Sequence, residues 1–199
     1  MIRRRLRVVL ESQLDVEVVA GVSDGRTAVQ CCQELIPDVV LMDVSMPRLN
    51  GIEATRQIVQ LVPQTKVLAV SAHSSLRTVR GMLSAGASGY VLKNRVFEDL
   101  VDAVQAAARG YTYLSATVKR GIVAAWIDHL SFSGQSLSDN EKAVLEGLRS
   151  GRRSDQLASD LRIGPEGIKQ VFHEILSRTV ESDLTLLVRY VIGDGKHRG

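Results

Sequence analysis

Three polar residues end three apolar runs. Asp43 follows Val39-Val40-Leu41-Met42, Ser71 follows Val67-Leu68-Ala69-Val70, and Lys93 follows Gly89-Tyr90-Val91-Leu92. Each run is too short for a helix and rich in apolar residues, so each reads as a buried strand, the first as one buried on both faces. Ligands of open parallel sheets gather beyond the carboxyl ends of the strands. One such sheet would bring a carboxylate, a hydroxyl and an ammonium to a common edge. That trio suits phosphoryl transfer: Asp43 as nucleophile toward phosphorus, Ser71 as hydrogen-bond donor to a phosphoryl oxygen, Lys93 as the neutralising charge. Taken singly, Ser71 and Lys93 are equally well read as a surface hydroxyl and a snorkelling ammonium. Asp43 taken singly reads as a helix cap, but Asn50 stands closer to the helix that starts near Ile52.

The elements that must position these groups follow from spacing. Ile2, Leu6, Val9 and Leu10 fall at helical intervals with arginines on the other face, so the chain opens on an amphipathic helix. Val16–Ala20 reads as a short strand. Ser23-Asp24-Gly25 begins a helix with Ala28, Cys32 and Leu35 on its apolar face, stopped by Pro37. The strand to Asp43 leads into a helix from Ile52 to Leu61, ended by Pro63. The strand Lys66–Val70 leads into a helix closing at Ala85-Gly86, and the strand Gly89–Leu92 into a helix through Phe97, Leu100, Val101 and Val104 that ends near Gly110. Alternation of this kind predicts an α/β doubly wound parallel sheet.

Beyond Gly110 only helical patterns remain. Thr117–His129 is an amphipathic connector, 131–136 a polar linker, and four short helices follow: Asp139–Arg149, Asp155–Leu161, Pro165–Ser177 and Asp183–Ile192. Ser138 and Glu141 have the spacing of a capping box. The expected domains are 1–113, a connector and linker over 114–136, and a smaller all-α domain over 137–199.

Composition narrows the function classes. The 199 residues, 45% hydrophobic and 24% charged, fit a soluble globular chain of one large or two small domains. Aromatic residues, at 4%, are too few for a stacking platform on single-stranded nucleic acid. The basic start lacks a signal-peptide core because Glu11 interrupts it, and no stretch approaches transmembrane length, so a cytoplasmic protein without a membrane partner is expected. Cys31 and Cys32 are adjacent within a helix and read as reduced packing residues. The net charge of +3 is confined to one part: residues 1–137 carry 15 Lys and Arg against 12 Asp and Glu, whereas 138–199 carry 10 against 10. A neutral tail counts against strong attraction to DNA.

The run Pro37-Asp38-Val39-Val40-Leu41-Met42-Asp43 with Met46-Pro47 and Asn50-Gly51, then Ser71-Ala72, Ala85-Gly86-Ala87 and Gly89–Lys93, closely resembles the receiver domain of two-component response regulators. With Leu145, Gly151, Leu157-Ala158, Ile168-Lys169 and Ile175-Leu176, the whole chain resembles the NarL/FixJ group, a flavodoxin-like receiver followed by a LuxR-type helix-turn-helix. The resemblance implies that Asp43 is the phosphoacceptor, Ser71 and Tyr90 are the switch positions, and Lys93 contacts the phosphoryl group. It also implies duplex DNA, a sensor histidine kinase and a second copy of the chain as partners, in a transcriptional regulator that is not an enzyme. Tyr90 reads equally well as a rim residue.

Two departures from the family pattern matter. The chain opens on what should be the first helix, so the first strand and its acidic pair are absent from it. In the family that pair holds magnesium beside the phosphoacceptor. No cofactor is therefore expected, with magnesium bound weakly or not at all, and Asp43 is expected to phosphorylate poorly and to serve as a fixed partner for Lys93. Asp24, at the start of a helix, is expected to lie outside the pocket. The missing strand is an internal one in the order 2-1-3-4-5, which predicts a four-stranded sheet that is rearranged or completed by dimerisation. In the tail, Gly151-Arg152-Arg153-Ser154-Asp155-Gln156 and Gly164-Pro165-Glu166-Gly167-Ile168-Lys169-Gln170-Val171 replace the family's turn and recognition-helix patterns, with Asp155, two glycines and Val171 where DNA contacts would be. Arg152, Arg153, Lys169 and Gln170 remain as candidate DNA contacts, Gln for an adenine edge and the others for phosphate; a solvated helix face is the plain alternative. The leading expectation is a DNA-binding transcriptional regulator with an atypical receiver. The alternatives are a conventional phospho-switched regulator whose sequence begins late, and a protein-interaction module that has lost DNA binding.

Overall fold

A parallel sheet with strand order β1-β2-β3-β4 places the site: β1 Val39–Asp43, β2 Lys66–Ser71, β3 Gly89–Leu92 and β4 Tyr113–Leu114. The computed structural model describes residues 2–132, 136–152, 154–178 and 191. The helices around it are α1 (Ile2–Glu11), α2 (Gly25–Leu35), α3 (Gly51–Leu61), α4 (Leu76–Ser84) and α5 (Val96–Ala108). From α2 onward they alternate with the strands as the spacing predicts, whereas α1 and α2 have no strand between them. Side-chain caps fix three of the starts: Asp24 accepts from the Thr27 amide, Asn50 from Glu53 and Ser75 from Thr78.

The sheet has four strands, but not the four expected. Val16–Ala20 belongs to no strand. The fourth strand is Tyr113–Leu114, which pairs with Gly89 and Tyr90 of β3. A run of β-forming residues makes a strand only where a neighbour offers its edge. Val16–Ala20 forms no ladder although β1 keeps an open edge, whereas Tyr113 takes the edge of β3. Leu6, Val9, Val16, Val18, Val39 and Leu41 pack against a core of Leu10, Leu68, Val70, Val91, Val96, Leu100 and Ala103. Val16 and Val18 are thus anchored by side chains rather than by a ladder, while Val19 is exposed.

β1 also departs from expectation. It lies at the sheet edge and is only half-buried except at Met42, while β2, from Val67 onward, and β3 are buried throughout. Leu35, placed by periodicity on the buried face of α2, is exposed, and Ile36 caps that helix in the left-handed region at φ 47°. Cys32 is a buried free thiol whose pKa burial pushes up to about 11, and Cys31 beside it is also a free thiol, half-buried.

The chain divides into two compact units between Ser115 and Ala116. The second contains α6 (Ala116–Phe132), α7 (Asp139–Arg149), α8 (Ser154–Asp160) and α9 (Gly164–Arg178). The linker expected from Ser131 therefore starts inside α6. Ser138 and Glu141 form the expected capping box at α7. α6 packs on α7, and α7, α8 and α9 pack on one another around Val144, Leu145, Leu157, Ile168, Phe172 and Ile175. The helix expected over Asp183–Ile192 lies outside the described residues, apart from the helical residue 191.

Candidate functional site

The sheet register decides which groups meet. Asp43 is in register with Val70, and Ser71 with Leu92, so Asp43, Ser71 and Lys93 all leave their strands at the carboxyl edge. The Lys93 amide donates to the Ser71 carbonyl (2.7 Å) and the Val44 amide to the Val70 carbonyl (3.3 Å), which carries the strand alignment into the loops.

Lys93 Nζ lies 2.6 Å from Asp43 Oδ2, with the two side chains 27% and 34% exposed. The other carboxylate oxygen, Oδ1, accepts from the Ser45 amide at 3.1 Å. That contact is an Asx-turn, in which an Asp side chain takes a backbone N–H two residues on. Gly51 supports the same loop from behind: a Cβ there would stand 2.1 Å from the Asp43 carbonyl oxygen, so only glycine allows α3 to start this close.

Ser71 is 1% exposed, and its hydroxyl accepts from the His73 amide at 3.0 Å. Tyr90 is fully buried, not at a rim, and its hydroxyl donates to the His73 carbonyl at 2.7 Å. Burial raises the Tyr90 hydroxyl's pKa, with a hydrogen bond to Ser71 acting in the opposite direction. The segment 71–73 therefore couples the hydroxyl at the carboxylate edge to the buried phenol.

Asp24 N-caps α2 through the Thr27 amide and hydroxyl (3.1 and 2.9 Å) and also pairs with Arg48 at 2.8 Å. Arg48 follows Asp43 in its loop and adopts φ 66°, in the left-handed region. The hydrogen bonds from Thr27, with the Arg48 guanidinium, hold the Asp24 carboxyl below the usual carboxylate range. Nothing in the sequence pointed to this tie, since the residues are far apart in the chain and neither stands at a strand end. The Asx-turn was readable from the Asp43-Val44-Ser45 spacing.

The donors at this edge do not fit a magnesium ion. Asp43 is held by Lys93 and Ser45, Asp24 by Thr27 and Arg48, and no group of three metal-ligating side chains occurs among the described residues.

In the second unit, Arg152 Nη1 lies 3.1 Å from Asp160 Oδ2, Lys169 Nζ lies 2.7 Å from Glu166 Oε1, and Gln170 Nε2 donates to Glu174 Oε1 at 3.0 Å. Arg153 lies outside the described residues. Val171 is buried, and a Cβ on Gly167 would meet Ile163 Cβ at 2.8 Å. Both residues therefore serve the packing of α9 rather than displacing a DNA contact from its outer face.

Residues 1–105 match the family model for the response regulator receiver domain. The chain is a response regulator. Its relatives extend the assignment over nearly its whole length. The regulator is 30% identical over 200 residues to the transcriptional regulatory protein YxjL of Bacillus subtilis (strain 168), covering 98% of this chain and 92% of that one. It is 32% identical to the transcriptional regulatory protein LiaR of the same organism, covering 96% and 91%. Among solved structures, a two-component response regulator of the LuxR family from Aurantimonas sp. SI85-9A1 matches with a TM-score of 0.57 at 33% identity, over 59% of this chain and 84% of that one. The regulator thus belongs to the NarL/LuxR family of transcriptional response regulators, whose members are not enzymes. No helix among its described residues is long and apolar enough to cross a membrane.

Proposed function

We propose that this regulator binds duplex DNA through α8 and α9 as a homodimer, and that its receiver works without phosphorylation of Asp43. The observation that carries the reading is the 2.6 Å pair between Lys93 and Asp43, which joins the two groups that would otherwise act on a phosphoryl group. An incoming phosphoryl group meets a carboxylate already paired with Lys93, and among the described residues no group of three metal-ligating side chains is present to hold the cation that would shield two anions from each other. The domains keep the boundaries read from sequence: a receiver over 1–113, a connector over 114–136 and a helix-turn-helix over 137–199. Arg152, Arg153 and Lys169 meet phosphate in this reading, and Gln170 meets a base edge. The protein works in the cytoplasm.

The test is an intact mass measured after incubation with acetyl phosphate and magnesium. No phosphate-sized gain is expected. A gain that disappears in Asp43→Ala would overturn phosphorylation independence and favour the second reading, a conventional regulator switched at Asp43 by a sensor histidine kinase. That reading draws support from the shared edge of Asp43, Ser71 and Lys93 and from the 34% exposure of the Asp43 side chain. DNA binding is tested by anisotropy of a labelled duplex across salt, and binding should weaken with salt and again in Lys169→Ala. Absence of any salt-dependent binding would leave a protein-interaction module.

A further inference from the structure

The three described candidate DNA contacts share one feature: each is held by an acid. Arg152 pairs with Asp160, Lys169 with Glu166, and Gln170 with Glu174. The outer face of α9 presents Glu166, Lys169, Gln170, His173, Glu174 and Ser177, two carboxylates against one ammonium. The side chains of Lys169 and Glu166 are 68% and 85% exposed, so neither the helix fold nor its packing depends on their pairing.

From this arrangement we infer that Glu166 and Glu174 set the DNA affinity of the reading helix by competing with DNA for Lys169 and Gln170. The inference rests on the DNA-binding reading above. An exposed pair one turn apart is weak, so DNA can break it, and the acids attenuate binding rather than block it. Once displaced, each carboxylate still stands within a Debye length of the phosphates and repels them. The two acids act on different terms. Glu166 withholds a phosphate-neutralising ammonium, which is a cost shared by every DNA sequence. Glu174 occupies the Gln170 amide donor, which an adenine edge needs together with the carbonyl oxygen.

The experiment uses the full-length protein and a fluorescein-labelled mixed-sequence duplex, with anisotropy followed over a salt series. Glu166→Gln and Glu174→Gln are combined, and Asp139→Asn with Glu146→Gln on α7 serves as the control of equal charge change; Asp139 pairs with Lys142 and Glu146 with Arg149. The double variant should bind about tenfold tighter near 0.1 M salt, with the slope of log affinity against log salt little changed because Lys169 meets its phosphate in wild type too. The control should stay within about twofold of wild type, as a general charge effect at high dielectric would. Glu166→Gln should bring a smaller gain once Lys169→Ala is present, because Glu166 acts chiefly through that ammonium. A double variant that matches wild type or the control overturns the inference, and so does a Glu166→Gln gain that loss of Lys169 leaves undiminished. If neither wild type nor variant binds in a salt-dependent way, the DNA-binding reading itself falls; if wild type binds and the variants are unchanged, only the attenuation falls.

Discussion

Lys93 and Tyr90 are three residues apart, yet they hold the carboxylate edge by different means. Lys93 pairs with Asp43 where both side chains are about a third exposed, so solvent screens most of their attraction. Tyr90 has no exposed surface, and its ring fills the core while its hydroxyl satisfies the His73 carbonyl. Lys93→Met should therefore lower unfolding free energy by less than about 1 kcal/mol in urea titration. Tyr90→Phe should cost about 1 kcal/mol for the lost hydrogen bond, and Tyr90→Ala about 3 to 5 kcal/mol for the cavity. A larger loss at Lys93 than at Tyr90→Ala would mean that the ion pair, rather than the buried ring, organises this edge.

At the level of elements, the helix starts and the three strands carrying Asp43, Ser71 and Lys93 were legible in the sequence. Their signals are local: a cap three residues ahead of an amide, a Pro or Gly at the end, a short apolar run. Pairing is not local, and there the sequence misled. Val39-Val40-Leu41-Met42 has the composition of a central strand but lies at an edge, and Val16–Ala20 has the composition of a strand but no ladder. Tyr113–Leu114 went unread because two residues carry no period, although Tyr111-Thr112-Tyr113 is β-forming and follows Gly110. The Asp24–Arg48 tie was invisible for the same reason. Tyr113 also joins β4 to α5. Its pKa is pushed up to about 12 by burial and by the nearby carboxylates of Asp99 and Asp102, while Asp99 is itself raised, chiefly by burial. Asp99 Oδ2 is buried without a hydrogen-bond partner. A carboxyl raised on folding contributes fully below its unfolded value near 4 and loses that contribution as pH rises through the folded value. Asp99→Asn should therefore have a higher melting temperature than wild type at pH 7 to 8, with the advantage shrinking as pH falls toward 4. An advantage that stays constant across that range would detach it from the titration of Asp99.

Across the whole molecule, most of the positive excess lies outside the unit that carries the reading helix: residues 1–115 hold 13 Lys and Arg against 11 Asp and Glu. The excess of three lies in residues 1–137, and four of its arginines, Arg3, Arg4, Arg5 and Arg7, belong to α1. Three of these have partners within the first unit: Arg3 donates to the Val22 carbonyl, Arg5 lies 4.6 Å from the Phe97 ring centroid, and Arg7 pairs with Glu11 at 3.1 Å. The tail, with 10 Lys and Arg against 10 Asp and Glu, has no net charge to draw it to DNA. Each neutralised phosphate contributes about −0.9 to the slope of log affinity against log salt. In the proposed DNA complex, Arg152, Arg153 and Lys169 together should set a slope of about −3 per chain, well short of what the total of 25 basic residues would allow. Anisotropy between 50 and 200 mM salt should return that slope, and Arg4→Gln should leave it unchanged while Arg152→Gln makes it shallower by about one. A slope beyond about −6 per chain, reduced by Arg4→Gln, would mean that the first unit's basic helix, and not the second unit alone, lies against the phosphates.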